Sequence, residues 1–423
     1  MINENFLHFI WKFKLFDCSN LQATNQAEIQ ILQQGLHNHN AGPDFLNARI
    51  KIQDLVWCGD VEIHVNSSDW YLHQHQLDDN YATVILHVVY ENNQEIVTSR
   101  GEPLICLELK NRIPETYIEE YQTLYQSVSN LPCSYAIGNL SNMFWESYAE
   151  RLLIEKLEIK MTSVRQIFLD ANKNYQECFY QLLAYSLGLK INANTMLNLA
   201  KISPLLLLQK HGDNRLQTEA ILYGQSGLLE QNHKSDYAKK LKNEYVFLAQ
   251  KYKLRSMTPV QWKFFRLRPS SFPTLRISYL ADFISNSSAI FEQLFNFKSV
   301  KSISFFFDLK VSDYWNSHYV FDKKSKTANK KMGKATLGLI LINAILPFCF
   351  FYARQKSDHE MMMRVVDSYR ELKYEDNKII RYYIAAAVEV KTALKSQALI
   401  HLHQEYCIPR KCLNCRVFNQ ILK

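Results

Sequence analysis

The hydrophobic period changes partway along this chain, and that change limits the folds open to it. Up to about residue 130, apolar side chains recur at every second position in short runs such as "DVEIHV" and "PLICLELK", the period of strands. From residue 143 to 255 they recur every third or fourth position, as in "FWESYAERLLIEKLEIKMTSVRQIFLDA" and "CFYQLLAYSLGL", the period of helices. The fold class that follows is α+β: an N-terminal mixed sheet with flanking helices, then a mostly α-helical region, then a small cysteine-rich tail. Boundaries are expected at 1–135, 136–400 and 401–423, since 423 residues exceed one ordinary core.

Within the first segment, "ENFLHFIWKFKLF" spaces Phe6, Phe9, Ile10, Phe13 and Phe16 like one face of a helix. "LQATNQAEIQIL" reads as a hairpin, and "DFLNARIKI" and "DVEIHV" as two further strands separated by a loop. "ATVILHVVYE" is apolar enough for a central strand. "ATLGLILINAILPFCFFYA", residues 335–353, carries no charge and approaches the length of a membrane span. It also holds Gly338, Asn343 and Pro347, so a buried helix that ends or kinks near Pro347 is expected, and no membrane span.

Charge is divided unevenly. Residues 1–135 hold 7 Lys+Arg against 17 Asp+Glu, about −10, which leaves roughly +18 for the remainder of a chain whose formal net charge is +8. An acidic, cation-holding unit joined to a basic surface suited to a polyanion fits this asymmetry. Nine cysteines without framework spacing, and no secretory signal at the N-terminus, place the protein in the cytoplasm.

The acidic unit carries the chemistry. Alternation in "DVEIHV" sends Val61, Ile63 and Val65 to one face and Asp60, Glu62 and His64 to the other. Asp44 opens the preceding strand, just after Gly42 and Pro43 turn the chain. Pairing of the two strands would bring Asp44 towards Glu62 and His64, and two converging carboxylates call for a cation. Mg²⁺ or Mn²⁺ on Asp44 and Glu62 would activate a water and polarise a phosphoryl oxygen. His64 would position that water and Asp60 would assist. Histidines crowd the region at His37, His39, His64, His73, His75 and His87. They offer an alternative Zn²⁺ or Mn²⁺ centre on His73, His75 or His87 with Asp79.

The pair Pro43-Asp44 followed by Glu62-Ile63-His64 resembles the PD-(D/E)XK nuclease superfamily, whose motif is Pro-Asp on one strand and acid-X-Lys on the next. That resemblance implies a restriction-endonuclease-like fold over roughly residues 1–130, with His64 in place of the lysine. "AGPDFLNARI", "GDVEIHVNSSDW", "VILHVVYE", "RLRPSSFPTLRI", "ILINAILP" and "YCIPRKCLNC" are also similar to domain-of-unknown-function family 2851, a bacterial family, over nearly the whole chain. This second resemblance implies no particular reaction.

Two basic stretches lie downstream. "QWKFFRLRPSSFPTLRI" mixes Lys263, Arg266, Arg268 and Arg276 with Trp262, Phe264, Phe265 and Phe272, cations for phosphates beside rings for bases. "FDKKSKTANKKMGK" adds six lysines, including Lys323, Lys324, Lys330 and Lys331, as a loop that would track a backbone. In the tail, Cys412 and Cys415 have the spacing of a metal knuckle. His403 and Cys407 complete one four-ligand set for structural Zn²⁺ or an iron–sulfur cluster, and Cys133 is the other candidate for the fourth ligand. One early and three late cysteines is an arrangement similar to that of CRISPR-associated and recombination nucleases holding such a cluster. The expected function is a metal-dependent nuclease cutting DNA or RNA. The alternatives are a catalytically inactive nucleic-acid-binding scaffold and a histidine–metal hydrolase of small molecules.

Overall fold

A computed structural model describes residues 2–38 and 40–422 and divides them into two units, one formed by residues up to 140 together with 403 onward, the other by 141–402. The architecture is α+β, with a mixed sheet in the first unit and helices dominating the second.

The first helix, α1 (Glu4–Lys12), starts where the Asn3 side chain accepts the Phe6 N–H at 3.0 Å, satisfying one orphan donor of the first turn. Its apolar face, with Phe6, Phe9 and Ile10 fully or nearly buried, packs onto a sheet of six strands. These are β1 (Ile29–Gln33), β2 (Leu36–His37), β3 (Phe45–Ile52), β4 (Leu55–Asn66), β5 (Val84–Glu91) and β6 (Cys106–Glu108), ordered β1-β3-β4-β5-β6 with β2 beside β3. The pairs β1–β3 and β3–β4 are antiparallel, whereas β5 runs parallel to β4 and β6 parallel to β5. The apolar row Val61, Ile63 and Val65 faces the same core as Phe45, Ile50 and Leu86. The short α2 (Asp69–Leu72) lies in the crossover from β4 to β5, and α3 (Glu115–Gln126) follows the sheet, burying Tyr121 and Leu124. Phe418 and Leu422 join this core, with the Phe418 ring 5.1 Å from that of Phe9.

Two details differ from the reading of the sequence. The strands flanking residue 53 are not separated by a loop: β4 begins at Leu55 after a two-residue turn in which Gln53 takes φ 52°. The segment "PLICLELK" contributes only three strand residues. A bulge also interrupts the β3–β4 ladder between the pairs Phe45↔Val61 and Ala48↔Gly59, with Asn47 at φ 59°. Asp60 pins this bulge, accepting the Asn47 N–H at 2.9 Å and the Thr83 hydroxyl at 2.6 Å.

The second unit opens with α4 (Asn142–Asp170), capped by Ser141, whose side chain accepts the Phe144 N–H. Phe179, Phe283, Phe291, Phe307 and Phe348 meet in its interior with ring separations of 5.1–6.3 Å. The apolar run is one helical stretch, Lys334–Gln355, long and apolar enough by composition to cross a membrane, with 61% of its most apolar window buried in the protein. It does not end at Pro347. Instead Leu341–Ile345 widen into a π-turn in which Leu346 N–H reaches back to Leu341 O. Proline offers no N–H to the carbonyl four residues before it, so the widened turn absorbs the irregularity one turn early. The Tyr369 hydroxyl takes up the Ile342 carbonyl at 2.9 Å.

Gly59 stands where β4 meets the start of β5. A Cβ there would lie 2.4 Å from Ile85 Cγ2 and 2.6 Å from Thr83 O. Gly59→Ala is therefore expected to destabilise the protein by about 1–3 kcal/mol, measured as a lowered urea midpoint. An unchanged midpoint would contradict the tight β4–β5 approach.

Candidate metal centre

The acids at the head of β3 and in β4 are locked to one another's backbones. The Asp44 N–H donates to Glu62 Oε2 at 3.1 Å, and the Ile63 N–H donates to Asp44 Oδ2 at 2.9 Å. Both distances fall in the ordinary N–H···O range. The two bonds hold the residues together whatever the charge between them. Glu62 is 5% exposed; burial, followed by the Asp44 charge, pushes its carboxyl up to about 9. The sheet thus holds a carboxyl group where a free carboxylate is poorly solvated.

Histidines surround the other side of Glu62. His64, two residues along β4, has Nδ1 2.8 Å from His87 Nε2 on β5 and Nε2 3.1 Å from His73 Nδ1. The parallel register Glu62↔His87 and His64↔Val89 places His87 beside this pair. His73 ends α2, and Gln74 follows in the left-handed conformation, φ 62°. That reversal lets His73 and His75, on either side of it, both turn back to His64. The donor nitrogens of His64, His73 and His75 all lie within 4.8 Å of one another. His75 Nε2 is 3.2 Å from Glu62 Oε1, and His64 Nε2 is 3.6 Å from the same oxygen.

The His75–Glu62 approach is close in distance yet lacks hydrogen-bond geometry, and His75 Nε2 is buried without a hydrogen-bond partner. Two donor atoms this close without a hydrogen bond between them are compatible with a shared ion. Burial and then the neighbouring imidazoles His87, His75 and His73 drive His64 down to about 2, and burial drives His87 to about 3. These rings are neutral lone-pair donors. Trp70, packed with Val84, Ile96 and Leu104, forms the apolar support, and the Tyr81 ring stacks on His75 at 3.8 Å. His73 is exposed and leaves one side open.

Two contributors were not singled out from the sequence. His8 Nε2 is 3.1 Å from Asp44 Oδ2. Glu4 on the same helix has its carboxyl raised by burial, with the charges of His73, Asp44 and His8 acting on it. The available signal was their spacing of four on the polar side of an amphipathic helix.

The remaining candidates are placed variously. Asp60 is engaged by Asn47 and Thr83 at the bulge, where it lines a separate cavity of about 1030 Å³ that also includes Arg49, Trp57 and Arg100. Asp79 is exposed; the acids acting electrostatically on His75 are Asp44, Asp78 and Glu4. His37 stacks against Phe45 at 4.8 Å, and His39 lies outside the described residues. Among the basic residues, Lys263, Arg266, Arg268, Lys323, Lys324 and Lys331 are exposed. Arg276 is 4% exposed, its Cζ 5.8 Å from the Tyr279 ring centre, and Lys330 is buried with Nζ donating to His318 O and Ser325 Oγ. Trp262 is also buried, donating to Ser226 O, while Phe265 is open to solvent.

In the tail, His403–Cys407 form a π-turn closed by Ile408 N–H to His403 O at 2.9 Å. Cys412–Asn414 form a single 3-10 turn in which Cys415 N–H returns to Cys412 O. Arg410 Nη2 donates to Ser129 O, docking this turn near Cys133. Burial raises the Cys133 thiol, and Cys407, Cys415 and Cys412 raise it further. None of the nine cysteines is in a disulfide.

Glu62 has an immediate consequence for stability. The folded chain keeps the Glu62 proton to about pH 9, whereas a carboxyl in the unfolded chain loses it near 4.5. The folded state therefore binds the extra proton, and this contribution to stability is lost as pH rises through that window. In chelator-treated protein, the urea midpoint of Glu62→Gln is expected to gain on wild type as pH rises towards 9. A constant difference would contradict the raised carboxyl.

A family model described as protein of unknown function (DUF2851) matches residues 4–378. No curated protein and no solved structure matches the chain. The match covers most of the sequence, and the chain belongs to the DUF2851 family.

Proposed function

We propose that this protein is a metal-dependent phosphodiesterase acting on nucleic acid in the cytoplasm, with a divalent ion held by Glu62, His64, His73 and His75 beside Asp44. The observation that carries this reading is the buried His75 Nε2, 3.2 Å from Glu62 Oε1 without a hydrogen bond, inside a set of three converging imidazoles. A donor set of imidazole nitrogens with carboxylate oxygen suits Mn²⁺ or Zn²⁺ better than Mg²⁺, which favours oxygen and water. When bound, such an ion polarises a phosphoryl oxygen and lowers the pKa of a water.

The residues have separable tasks in this scheme. His87, 2.8 Å from His64 Nδ1, fixes the orientation of the His64 ring and directs its Nε2 towards the site. The Ile63 N–H holds Asp44 in place, and His8 Nε2, 3.1 Å from Asp44 Oδ2 and buried without a hydrogen-bond partner, is a further nitrogen facing the site. Pro43-Asp44 opening β3, with Glu62-Ile63-His64 on its antiparallel neighbour, supports the likeness to PD-(D/E)XK nucleases and a restriction-endonuclease-like fold. In that likeness His64 takes the place of lysine, and Asp60 serves the bulge rather than the ion. The exposed cations Lys263, Arg266, Arg268, Lys323, Lys324 and Lys331 would hold the polyanion.

A second reading, a histidine–metal hydrolase of small molecules, draws on the closeness of the three imidazoles. Cleavage of single- and double-stranded DNA and RNA with Mn²⁺, Zn²⁺ or Mg²⁺ separates the two. The nuclease reading expects cutting that falls by roughly 100-fold or more in Asp44→Ala and Glu62→Ala. Stoichiometric metal lost in His75→Ala, with turnover of small phosphate esters but no cutting, would replace it with the second.

For the same unit we propose a structural metal–thiolate centre on Cys133, Cys407, Cys412 and Cys415. Four sulfur donors suit Zn²⁺ or an iron–sulfur cluster. The three tail thiols act on Cys133, which favours it over His403 as the fourth ligand. Bound zinc or iron is expected to disappear in Cys133→Ser and Cys412→Ser and to survive in His403→Ala. Visible charge-transfer absorption would identify a cluster. Equal metal content in all three variants and wild type would remove the centre.

A further inference from the structure

In the helical unit, two lysines stand one turn apart on the same face of α4. Lys156 Nζ donates to Gln397 Oε1 at 2.7 Å and approaches Gln397 O at 3.4 Å. Lys160 Nζ donates to Asn343 Oδ1 at 2.8 Å. Every one of these acceptors is a neutral amide oxygen. Among the described residues no carboxylate lies within 4.0 Å of either ammonium. The acid that acts on both is Glu375, whose oxygens are taken by Asn377 Nδ2 at 3.1 Å and Gln397 Nε2 at 2.9 Å. Gln397 thus stands between Lys156 and Glu375 as a bridge.

Like charges a turn apart repel, and poorly solvated charges are costly unless paired. Burial lowers Lys156 to about 8 and Lys160 to about 7, and the charge of Lys156 adds to the second shift. An ammonium has three donors, so both groups retain donors after bonding their amides. Asn343 is presented from the π-turn Leu341–Ile345, a feature that recurs at functional sites. The arrangement is a surplus of positive charge and N–H donors with amide oxygens as its only acceptors.

We infer that Lys156 and Lys160, braced by Gln397 and Asn343, form a binding site for a phosphate group. A doubly charged tetrahedral oxyanion would draw both amines to their ammonium forms and offers acceptor oxygens to each. The site is made of residues of the helical unit alone, and none of them belongs to the metal centre. Its ligand is either a free phosphate or a phosphate of a nucleic-acid backbone.

Lysines lowered towards neutrality react with amine-acylating reagents near pH 7.5, so protection from labelling reads occupancy directly. In the full-length wild-type protein, Lys156 and Lys160 are labelled with and without inorganic phosphate at matched ionic strength, and in a parallel arm with a short single-stranded oligonucleotide. The expected result is that one of the two additives slows labelling of both lysines severalfold, while Lys263 and Lys331 are unaffected by inorganic phosphate. Protection by inorganic phosphate alone identifies a small ligand; protection by the oligonucleotide at lower concentration identifies a backbone phosphate. Affinity measured by calorimetry should fall at least about tenfold in Lys160→Gln, with the fold checked by its melting curve. No protection of either lysine by either additive would overturn the inference, and so would unchanged affinity in a folded Lys160→Gln.

Discussion

The paired bonds from the Asp44 N–H to Glu62 and from the Ile63 N–H to Asp44 are the interaction on which the rest of the centre depends. Two carboxylates brought together in a protein interior would separate if their side chains alone decided the matter. Here each is tied to the main chain of the other's strand, so separating the charges means giving up both of these side-chain-to-backbone bonds. The sheet therefore stores an electrostatic conflict that a cation or a proton resolves. His64 and His75 converge on the same carboxyl group, and His73 stands beside them as a third nitrogen donor.

Part of this was legible in the sequence. The alternation of "DVEIHV" correctly separates Val61, Ile63 and Val65 in the core from Glu62 and His64 on the polar side. The Pro43-Asp44 turn placed an acid opposite them. What alternation does not carry is register. At the bulge the Asp60 carboxylate is taken up by the Asn47 N–H and the Thr83 hydroxyl, a pairing that parity does not announce. The convergence of His73 and His75 depends on one left-handed residue, Gln74, in a segment whose composition carries no glycine to announce it. His87 arrives through parallel pairing, a non-local contact that no local pattern encodes. Glu4 and His8 come from a helix whose docking is set by its opposite, apolar face.

The helical unit shows the same limit. "ATLGLILINAILPFCFFYA" forms a helix with most of its apolar window buried, and the irregularity expected near Pro347 takes the form of a widened turn just before the proline. Basic composition was legible; which cations are buried was not. Arg276 and Lys330 pack against Tyr279 and Tyr319, whereas Lys263, Arg266, Arg268, Lys323, Lys324 and Lys331 face solvent. Lys156 and Lys160 were hidden among the ordinary charges of an amphipathic helix. Their distinction comes from Gln397 and Asn343, both more than 180 residues away in sequence.

The participation of Phe418 and Leu422 in the core built on Phe6 and Phe9 orders events on the ribosome. Residues 141–402 are contiguous and complete as they emerge. The sheet that precedes them must wait with part of its apolar face uncovered until the closing segment has been translated. At roughly 5–20 residues per second that wait is on the order of tens of seconds. During it, the edge strand and the half-covered helix are the surfaces a chaperone would be expected to shield.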